Sequence, residues 1–145
     1  METQHFLVPL DFSEHAEKAL QYAIELAQKV PAHITLLHVI HTMPLGVTEM
    51  GASLPYSYLQ EMEADIAQAM DAYLQQVQEA KLQGEVKTVH GVPFQEIVEH
   101  AKADRIDLIV MGTHGRTGLQ HVLLGSVAEK VVRLAPCSVL VTRLT

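Results

Sequence analysis

Apolar residues gather in five short runs along the chain, separated by longer segments that mix apolar and polar positions. The runs are rich in Val, Ile and Leu and are too short for globular helices, so they predict buried strands. They cover residues 5–10, 33–40, 85–89, 107–111 and 138–142. The third run alternates apolar and polar residues, which is typical of a strand at the edge of a sheet.

Four of the intervening segments are predicted to be helices, over about residues 14–30, 58–82, 93–103 and 126–134. In the first, apolar residues recur at steps of three and four and so share one face. That face is formed by Ala16, Ala19, Leu20, Ala23, Ile24 and Ala27. Ser13 is placed to cap this helix and Pro31 to stop it, whereas Gly84 is placed to end the second helix.

The alternation of strands and helices predicts one α/β domain over residues 1–145. We expect a single doubly wound, five-stranded parallel sheet with right-handed crossovers and helices on both faces. Strand order 3-2-1-4-5 would make the tips of the first and fourth strands neighbours, where ligands bind in such sheets. The long loop 41–57, rich in Gly and Pro, is expected to act as a lid or partner surface.

Composition and charge narrow the class of protein. The formal net charge of −7 disfavours a nucleic-acid-binding protein, because such binding depends on Lys and Arg. No apolar stretch approaches the roughly 18 residues of a membrane span, and the N-terminus lacks a signal-peptide pattern. We therefore expect a cytoplasmic protein without membrane insertion. Cys137 is the single cysteine and is predicted to be a small buried residue.

The two neighbouring strand tips carry the residues of greatest chemical interest. Asp11 ends the first strand, and Gly112 and Gly115 follow the fourth. These glycines would let the backbone approach a bulky anion and adopt positive φ. Gly125 and Ser126 then open a helix whose first-turn N–H groups favour an anion. A polyphosphate is expected between loop and helix start, where the Ser126 hydroxyl could donate a bond or contact a phosphate-bound Mg²⁺.

Each of these residues also has a purely structural interpretation. The glycines after the fourth strand could simply form a turn. Ser126 to Glu129 fits a capping box, in which the serine hydroxyl caps the amide of Glu129. Asp11 could support the N-cap of the first helix, and Arg116 could be a solvated loop charge. A binding site is favoured because these separate signals fall on strand tips that should be adjacent.

Other motifs of binding and catalysis are missing from the sequence. It contains no GxxxxGK[ST] P-loop, no GxGxxG and no GxSxG. Nine histidines raise the question of a metal site. However, His38 and His41 are expected on opposite faces of a strand, and His100, His114 and His121 lie in different elements. The sequence shows no tetrahedral ligand set, so no protein-held metal is assigned.

The glycine pattern resembles the ATP-binding signature of the universal stress protein family. GlyThrHisGly (112–115) and GlySer (125–126) together give G-x2-G-x9-G-[S/T]. The resemblance extends along nearly the whole chain, through residues 6–16, 36–40, 107–115, 123–132 and 136–142. It implies a fold like that of the adenine nucleotide alpha-hydrolases and places the chain in the ATP-binding branch of the family.

The resemblance also implies which residues contact the nucleotide. They are Pro9, Leu10, Asp11, Val39, Met111, Gly112, Gly115, Arg116, Gly125, Ser126 and Val127. Asp11 would contact the nucleoside, and the Val39 backbone would pair with the adenine edge. Gly115 and the start of the last helix would hold the phosphates, which usually carry Mg²⁺ or a similar ion. Arg116 occupies a basic position of the same loop.

Three functions remain open from the sequence. One is an ATP-binding regulatory protein of the stress response that presents a nucleotide-dependent surface to an unidentified protein partner. Another is a slow ATPase or phosphoryl-transfer enzyme, for which His114, Glu129 or Asp11 would have to orient water. No convincing base is evident, so no catalytic residue is assigned. The third is an interaction protein that binds AMP or a cyclic nucleotide, or whose glycines only form turns.

The last predicted strand, 138–142, suggests how the protein assembles. Members of the family commonly form homodimers through this strand. Here it is apolar and lacks proline, so an open edge would be prone to aggregation. Pairing with a symmetry mate would cover that edge. We therefore expect a homodimer.

Overall fold

The computed structural model describes residues 2–41, 54–115 and 124–144. Within them, five strands alternate with four helices: β1 (Gln4–Pro9), α1 (Glu14–Ala27), β2 (Ala32–His41), α2 (Tyr56–Glu79), β3 (Gln83–Gly91), α3 (Pro93–Ala103), β4 (Leu108–Gly112), α4 (Ser126–Leu134) and β5 (Ser138–Thr142). All strand pairs are parallel, and the order across the sheet is β3-β2-β1-β4-β5. The predicted fold and strand order are confirmed.

The helices cover both faces of this sheet. Alternate residues of β1 point to opposite sides, with Phe6 and Val8 packed against α1 and α2. Leu7 instead joins the cluster formed with α3 and α4. All six residues predicted for the inner face of α1 are buried. Two apolar layers thus fix the sheet between its helices and hold the strand tips in place.

Helix α1 begins as the sequence predicts and ends earlier. The Ala16 amide donates to Ser13 Oγ at 3.1 Å, so Ser13 is the N-cap. The helix stops at Ala27 rather than at Val30, and the last residues close through a tighter turn in which the Lys29 amide donates to Leu26 O. Pro31 explains the difference, since proline disfavours helical backbone in the residue before it.

Helix α2 ends differently from the prediction that Gly84 stops it. Lys81 adopts a left-handed conformation, with φ of 64°. The Lys81 amide donates to Gln78 O and the Leu82 amide to Val77 O, which is a Schellman motif. Gly84 lies inside β3 instead. There an added Cβ would meet Val77 Cγ1 at 3.0 Å, so Gly84 allows close packing of helix on strand.

The start of α2 and the length of β3 also differ from the predictions. Helix α2 starts two residues before the predicted Tyr58, directly after Pro55, whose fixed φ suits the position before a helix. Strand β3 extends over nine residues and pairs along its whole length with β2, which explains why it exceeds the alternating core 85–89. Among the described residues, no helix has the length and apolar character needed to cross a membrane. Most of the predicted lid, residues 42–53, lies outside the described residues.

Candidate functional site

The tips of β1 and β4 meet at the point where the strand order reverses. Strand β1 lies between β2 and β4, and both partners run parallel to it. Just beyond the strands, Asp11 lies against Gly115: a Cβ added to Gly115 would be 2.5 Å from Asp11 Oδ2. The convergence that the sequence predicts for these two residues is therefore present. No larger residue fits at position 115 unless the Asp11 carboxylate moves.

The Asp11 carboxylate also supports the start of α1. Its Oδ1 accepts a hydrogen bond from the Ser13 amide at 3.1 Å and another from the Ser13 hydroxyl at 2.5 Å. Ser13 in turn caps the helix. Asp11 is thus a support of the N-cap, as its structural interpretation predicts, while its other oxygen faces Gly115. These bonds fix the orientation of the carboxylate.

Phe12, between Asp11 and Ser13, has a φ of 66°, which is unusual for an aromatic residue. Its ring packs against His38, with centroids 4.6 Å apart, and stacks on Tyr73 at 6.1 Å. His38 Nδ1–H donates to Leu10 O at 2.7 Å. These contacts stabilise the tight turn that positions Asp11 against Gly115.

Tyr73 lies behind this turn on α2. Its hydroxyl donates to Glu17 Oε1 at 2.9 Å. Burial, followed by the hydrogen bond and charge of Glu17 and the charge of Asp11, raises the pKa of Tyr73 to about 12. The phenol therefore stays protonated at neutral pH and acts as a fixed donor that ties α2 to α1.

The second half of the glycine motif returns to the same place. The Gly125 amide donates to Thr113 O at 2.7 Å, so the chain leaves β4 and comes back to it at this bond. Helix α4 starts directly afterwards, with Gly125 as its N-cap. The first-turn amides of α4 consequently lie next to the tip of β4, where the sequence predicts an anion site.

The capping-box prediction for Ser126 is wrong. Ser126 is the first residue of the helix rather than its cap, and the α4 N-terminus has no side-chain cap. The Glu129 amide instead donates to Gly125 O at 2.9 Å, within the helix ladder. Glu129 lies 3.6 Å from Arg133 on the outer surface. The exposed Ser126 hydroxyl is therefore not used in capping.

The glycines of the motif are required by close contacts rather than by positive φ. None of Gly112, Gly115 and Gly125 has φ in the left-handed region, which corrects the prediction made for the first two. A Cβ at Gly112 would lie 2.7 Å from His15 Cβ, so this glycine admits α1 against β4. A Cβ at Gly125 would lie 3.2 Å from Thr113 O. Both glycines allow backbone to approach backbone.

A cavity of about 510 Å³ opens above these strand tips. Ten of the eleven predicted contact residues line it: Pro9, Leu10, Asp11, Val39, Met111, Gly112, Gly115, Gly125, Ser126 and Val127. The eleventh, Arg116, lies outside the described residues. The walls are mainly apolar, and their polar side chains include Asp11, His41, His114 and Ser126. A mainly apolar cavity with a few polar groups suits a small ligand that has both apolar and polar parts.

Sequence reasoning did not assign the remaining wall of the cavity. It includes Pro93 and Ile97 of α3 and His41 at the end of β2. Ile97 is buried on the apolar face of α3, and apolar periodicity does not separate a core residue from a residue of the cavity wall. The packing of α3 against β2 and α4 brings Pro93 and Ile97 to the cavity, and only the folded arrangement shows it.

A small polar cluster borders the cavity beside the glycines. His114 Nδ1 lies 3.1 Å from Thr113 Oγ1, which in turn lies 3.5 Å from His15 Nδ1. The two imidazole rings are 5.3 Å apart. His114 faces the cavity, whereas His15 was not assigned from the sequence. Its place in the first turn of α1, against Gly112, brings it there.

The fold and the cavity define a doubly wound α/β domain with its candidate site at the switch point of the strand order. A sequence model of the Universal stress protein family matches residues 2–143. The chain therefore belongs to the universal stress protein family.

Relatives and solved structures agree with this assignment. The chain is 36% identical over 138 residues to Universal stress protein MJ0531 of Methanocaldococcus jannaschii, covering 94% of this chain and 80% of that protein. It is 31% identical over 143 residues to Universal stress protein YxiE of Bacillus subtilis, covering 94% and 97%. The solved structure of hypothetical protein MJ0577 matches with a TM-score of 0.85 at 30% identity, covering 98% and 96% of the two chains.

Two more distant solved structures contain nucleotides. One is a universal stress protein in complex with cAMP, with a TM-score of 0.73 at 22% identity, covering 98% of each chain. The other is the universal stress protein from Archaeoglobus fulgidus in complex with dAMP, with a TM-score of 0.67 at 20% identity, covering 97% of each chain. At these identities the likeness establishes the shared fold alone.

Proposed function

We propose that this universal stress protein binds ATP in the cavity above β1 and β4 and acts as a nucleotide-dependent regulatory protein. The observation that carries the proposal is the meeting of Asp11, Gly115 and the start of α4 around one cavity. These groups come from two distant parts of the sequence, at residue 11 and over residues 115–126. The apolar walls of the cavity suit the nucleoside of a nucleotide, and the start of α4 suits its phosphates.

The apolar part of the cavity suits the nucleoside. Leu10, Val39 and Met111 form walls for a base and ribose, and Asp11 offers a carboxylate oxygen to a sugar hydroxyl. A volume of about 510 Å³ falls within the ordinary range of small-ligand sites. In this arrangement the Val39 backbone faces the adenine edge.

The other end of the cavity suits the phosphates. The first-turn amides of α4 are not bonded within the helix, and the positive end of its dipole favours an anion. Gly115 leaves space for a phosphate chain, and the exposed Ser126 hydroxyl can donate to it or bind Mg²⁺. When bound, Mg²⁺ would offset phosphate charge. Arg116 is proposed to add a positive charge from the same loop.

The two distant nucleotide complexes support the choice of ligand class only at the level of the fold. They held cAMP and dAMP, so this type of sheet can accommodate an adenine nucleotide. ATP is preferred here because the phosphate-side donors extend from Gly115 to the start of α4. A shorter nucleotide would leave part of that donor set without a phosphate partner.

The test is isothermal titration of the tag-free protein with Mg·ATP, AMP and cAMP, using wild type and Gly115→Ala. We expect saturable ATP binding by wild type and tighter binding of ATP than of AMP or cAMP. The added Cβ in Gly115→Ala would press on the Asp11 carboxylate. Overpacking of this kind should weaken ATP binding about tenfold or more.

Gly91→Ala is the matched control, because its Cβ would also lie 2.5 Å from a carboxylate oxygen, that of Glu96. Gly91 does not line the cavity. Gly91→Ala should bind ATP like wild type, and circular dichroism should show both variants folded. The proposal fails if wild type does not bind Mg·ATP, or if Gly115→Ala and Gly91→Ala bind it equally well.

Hydrolysis of ATP is a second candidate, favoured by one observation: His114 and Asp11 both line the cavity. Glu129 does not, so it is withdrawn as a candidate for orienting water. Phosphate release at saturating Mg·ATP should then depend on His114. Equal release by wild type and His114→Ala would exclude this role for the histidine.

We also propose that the protein is a homodimer that pairs through β5 in the cytoplasm. β5 is at one edge of the sheet, and within the described ranges no other strand pairs with its outer side. Val132, Leu134 and Leu144, which precede and follow the strand, are exposed apolar residues. Pairing of two β5 edges would shield apolar surface as well as backbone groups.

A further inference from the structure

A second group of chemically active side chains lies at the opposite end of the sheet from the cavity. His5 and His33 sit near the starts of β1 and β2 and are directly paired in register. Glu85, near the start of β3, pairs with Thr35, two residues after His33. Residues two apart in a strand share a face, so these side chains converge on one side of the sheet.

The distances within this group are short. The imidazole rings of His5 and His33 are 4.7 Å apart. One ligand atom from each of His5, His33 and Glu85 lies within 4.8 Å of the other two. Metal-bound nitrogen and oxygen atoms about 2.1 Å from a common ion lie about 3.4 Å apart in tetrahedral geometry. A modest rotation of the exposed Glu85 side chain would close the difference.

The surroundings of the group favour a cation. Thr35 is fully buried beneath it, with Oγ1 3.0 Å from His5 Nε2 and donating to Glu85 Oε1 at 3.2 Å. The Thr35 hydroxyl can therefore orient the side chains of His5 and Glu85, as outer-shell groups orient the ligands of metal sites. Lys87 lies two residues after Glu85, on the same face of the sheet. Its ammonium forms a salt bridge with Asp104, with Nζ 2.7 Å from Oδ2. Glu85 supplies the negatively charged ligand of the group, and its charge also acts on Lys87.

We propose that His5, His33 and Glu85 form a binding site for a divalent transition-metal ion such as Zn²⁺. Two imidazoles and one carboxylate are the ligands that Zn²⁺ and its neighbours prefer over Mg²⁺ or Ca²⁺. Three protein ligands leave a fourth position for water. The ion would tie β1, β2 and β3 together at their amino ends, opposite the proposed nucleotide site.

The sequence does not reveal this group because its members are separated by 28 and 52 positions. Metal sites are usually recognised by two ligands close together in one element. Here each strand supplies one ligand, and only the parallel pairing brings them together. The proposed site would be an exception to the prediction that the histidines form no ligand set.

Calorimetric titration of the tag-free, nucleotide-free protein with zinc chloride tests the site. We expect wild type to bind one ion per chain, and His33→Gln or Glu85→Gln to weaken binding at least about tenfold, as loss of even an outer-shell partner can. Glu85 is exposed, so its variant should remain folded. His90→Gln is the matched control, since His90 also lies on β3 and 3.8 Å from a carboxylate, that of Glu63.

Imidazole NMR signals give an independent readout of position. Adding Zn²⁺ should shift the ring signals of His5 and His33 and leave that of His90 in place. Failure of wild type to bind Zn²⁺ would overturn the proposal. So would equal affinity in wild type and either ligand variant, or ion-induced shifts confined to other histidines.

Discussion

At the scale of single residues, the turn after β1 shows how one unusual backbone conformation is sustained. Phe12 has positive φ, which costs about 1–2 kcal/mol for an L-residue. The contacts of its ring with His38 and Tyr73 offset that cost. The same turn positions Asp11 against Gly115. Strain near a candidate site is thus linked to the placement of the residue proposed to contact the nucleoside.

Tyr73 gives a prediction at this scale. Because its pKa is about 12 in the folded protein, the unfolded chain releases the phenolic proton first as pH rises. The stabilisation is therefore complete below about pH 10, the ordinary pKa of tyrosine, and is lost between there and about pH 12. Urea unfolding of wild type at rising pH should show this loss.

The comparison for that experiment is Tyr73→Phe. It should lower stability by about 1 kcal/mol at neutral pH, since it removes the hydrogen bond to Glu17. Its stability should then fall less steeply than that of wild type above pH 10. Tyr58→Phe, at a residue 52% exposed, should behave as wild type. Parallel alkaline slopes for wild type and Tyr73→Phe would contradict the assignment.

At the scale of elements, the helix ends carry the clearest differences from expectation. Helices α2 and α3 both end in a Schellman motif, at Lys81 and Arg105. Glycine is the usual residue at such positions, so a search for glycine leads to Gly84 instead. The chain places long basic side chains in left-handed backbone, near helix carboxyl ends whose dipole favours positive charge.

Lys81→Gly tests this interpretation. Relief of the left-handed conformation should raise the free energy of unfolding by about 0.5–1 kcal/mol, partly offset by the greater freedom of glycine in the unfolded chain. Thermal and urea unfolding measure the change. Lys29→Gly, after α1 and without positive φ, should be neutral or destabilising. A destabilised Lys81→Gly protein would show that the lysine side chain stabilises this end.

The elements themselves could be predicted because each has a consistent apolar period. The six buried positions of α1 and the unbroken runs of β1 and β4 leave little choice between helix and strand. Boundaries could not be predicted as well, since they depend on caps and on strand pairing. β3 is long because β2 pairs with it over its whole length, and the sequence of β3 alone does not predict that pairing.

The candidate cavity was predictable for a related reason. Asp11, Gly115 and Gly125 lie at strand tips and a helix start, so strand order alone brings them together. Pro93 and Ile97 could not be assigned, because a cavity wall and a core face have the same apolar pattern. The cluster of His5, His33 and Glu85 could not be found either, since it exists only through register across three strands.

At the scale of the whole molecule, the sheet separates two chemically different ends. The carboxyl ends of its strands face the cavity with its glycines, and the amino ends carry His5, His33 and Glu85. One lateral edge is the long β3, and the other is the short, apolar β5. The proposed nucleotide site, the proposed metal site and the proposed dimer edge therefore lie on different parts of the sheet.

Leu134→Glu tests the proposed homodimer. Leu134 is 47% exposed at the end of α4, just before β5, so a charge there should oppose burial against a symmetry mate. Analytical ultracentrifugation should show a dimer for wild type and a shift to monomer for the variant. Tyr58→Glu places the same charge at an exposed residue of α2 and should leave the dimer intact. A monomeric wild type would refute the proposed pairing.

The central place of β1 also matters while the chain is being made. Its neighbour β4 begins at Leu108. About a hundred residues must therefore be synthesised after β1 before β4 can pair with it. Until then β1, β2 and β3 can associate, but β1, the central strand of the finished sheet, has one open side. Unpaired strand edges of this kind invite contact between nascent chains. The C-terminal third of the chain therefore covers the open side of β1, which limits aggregation, and it also completes the cavity.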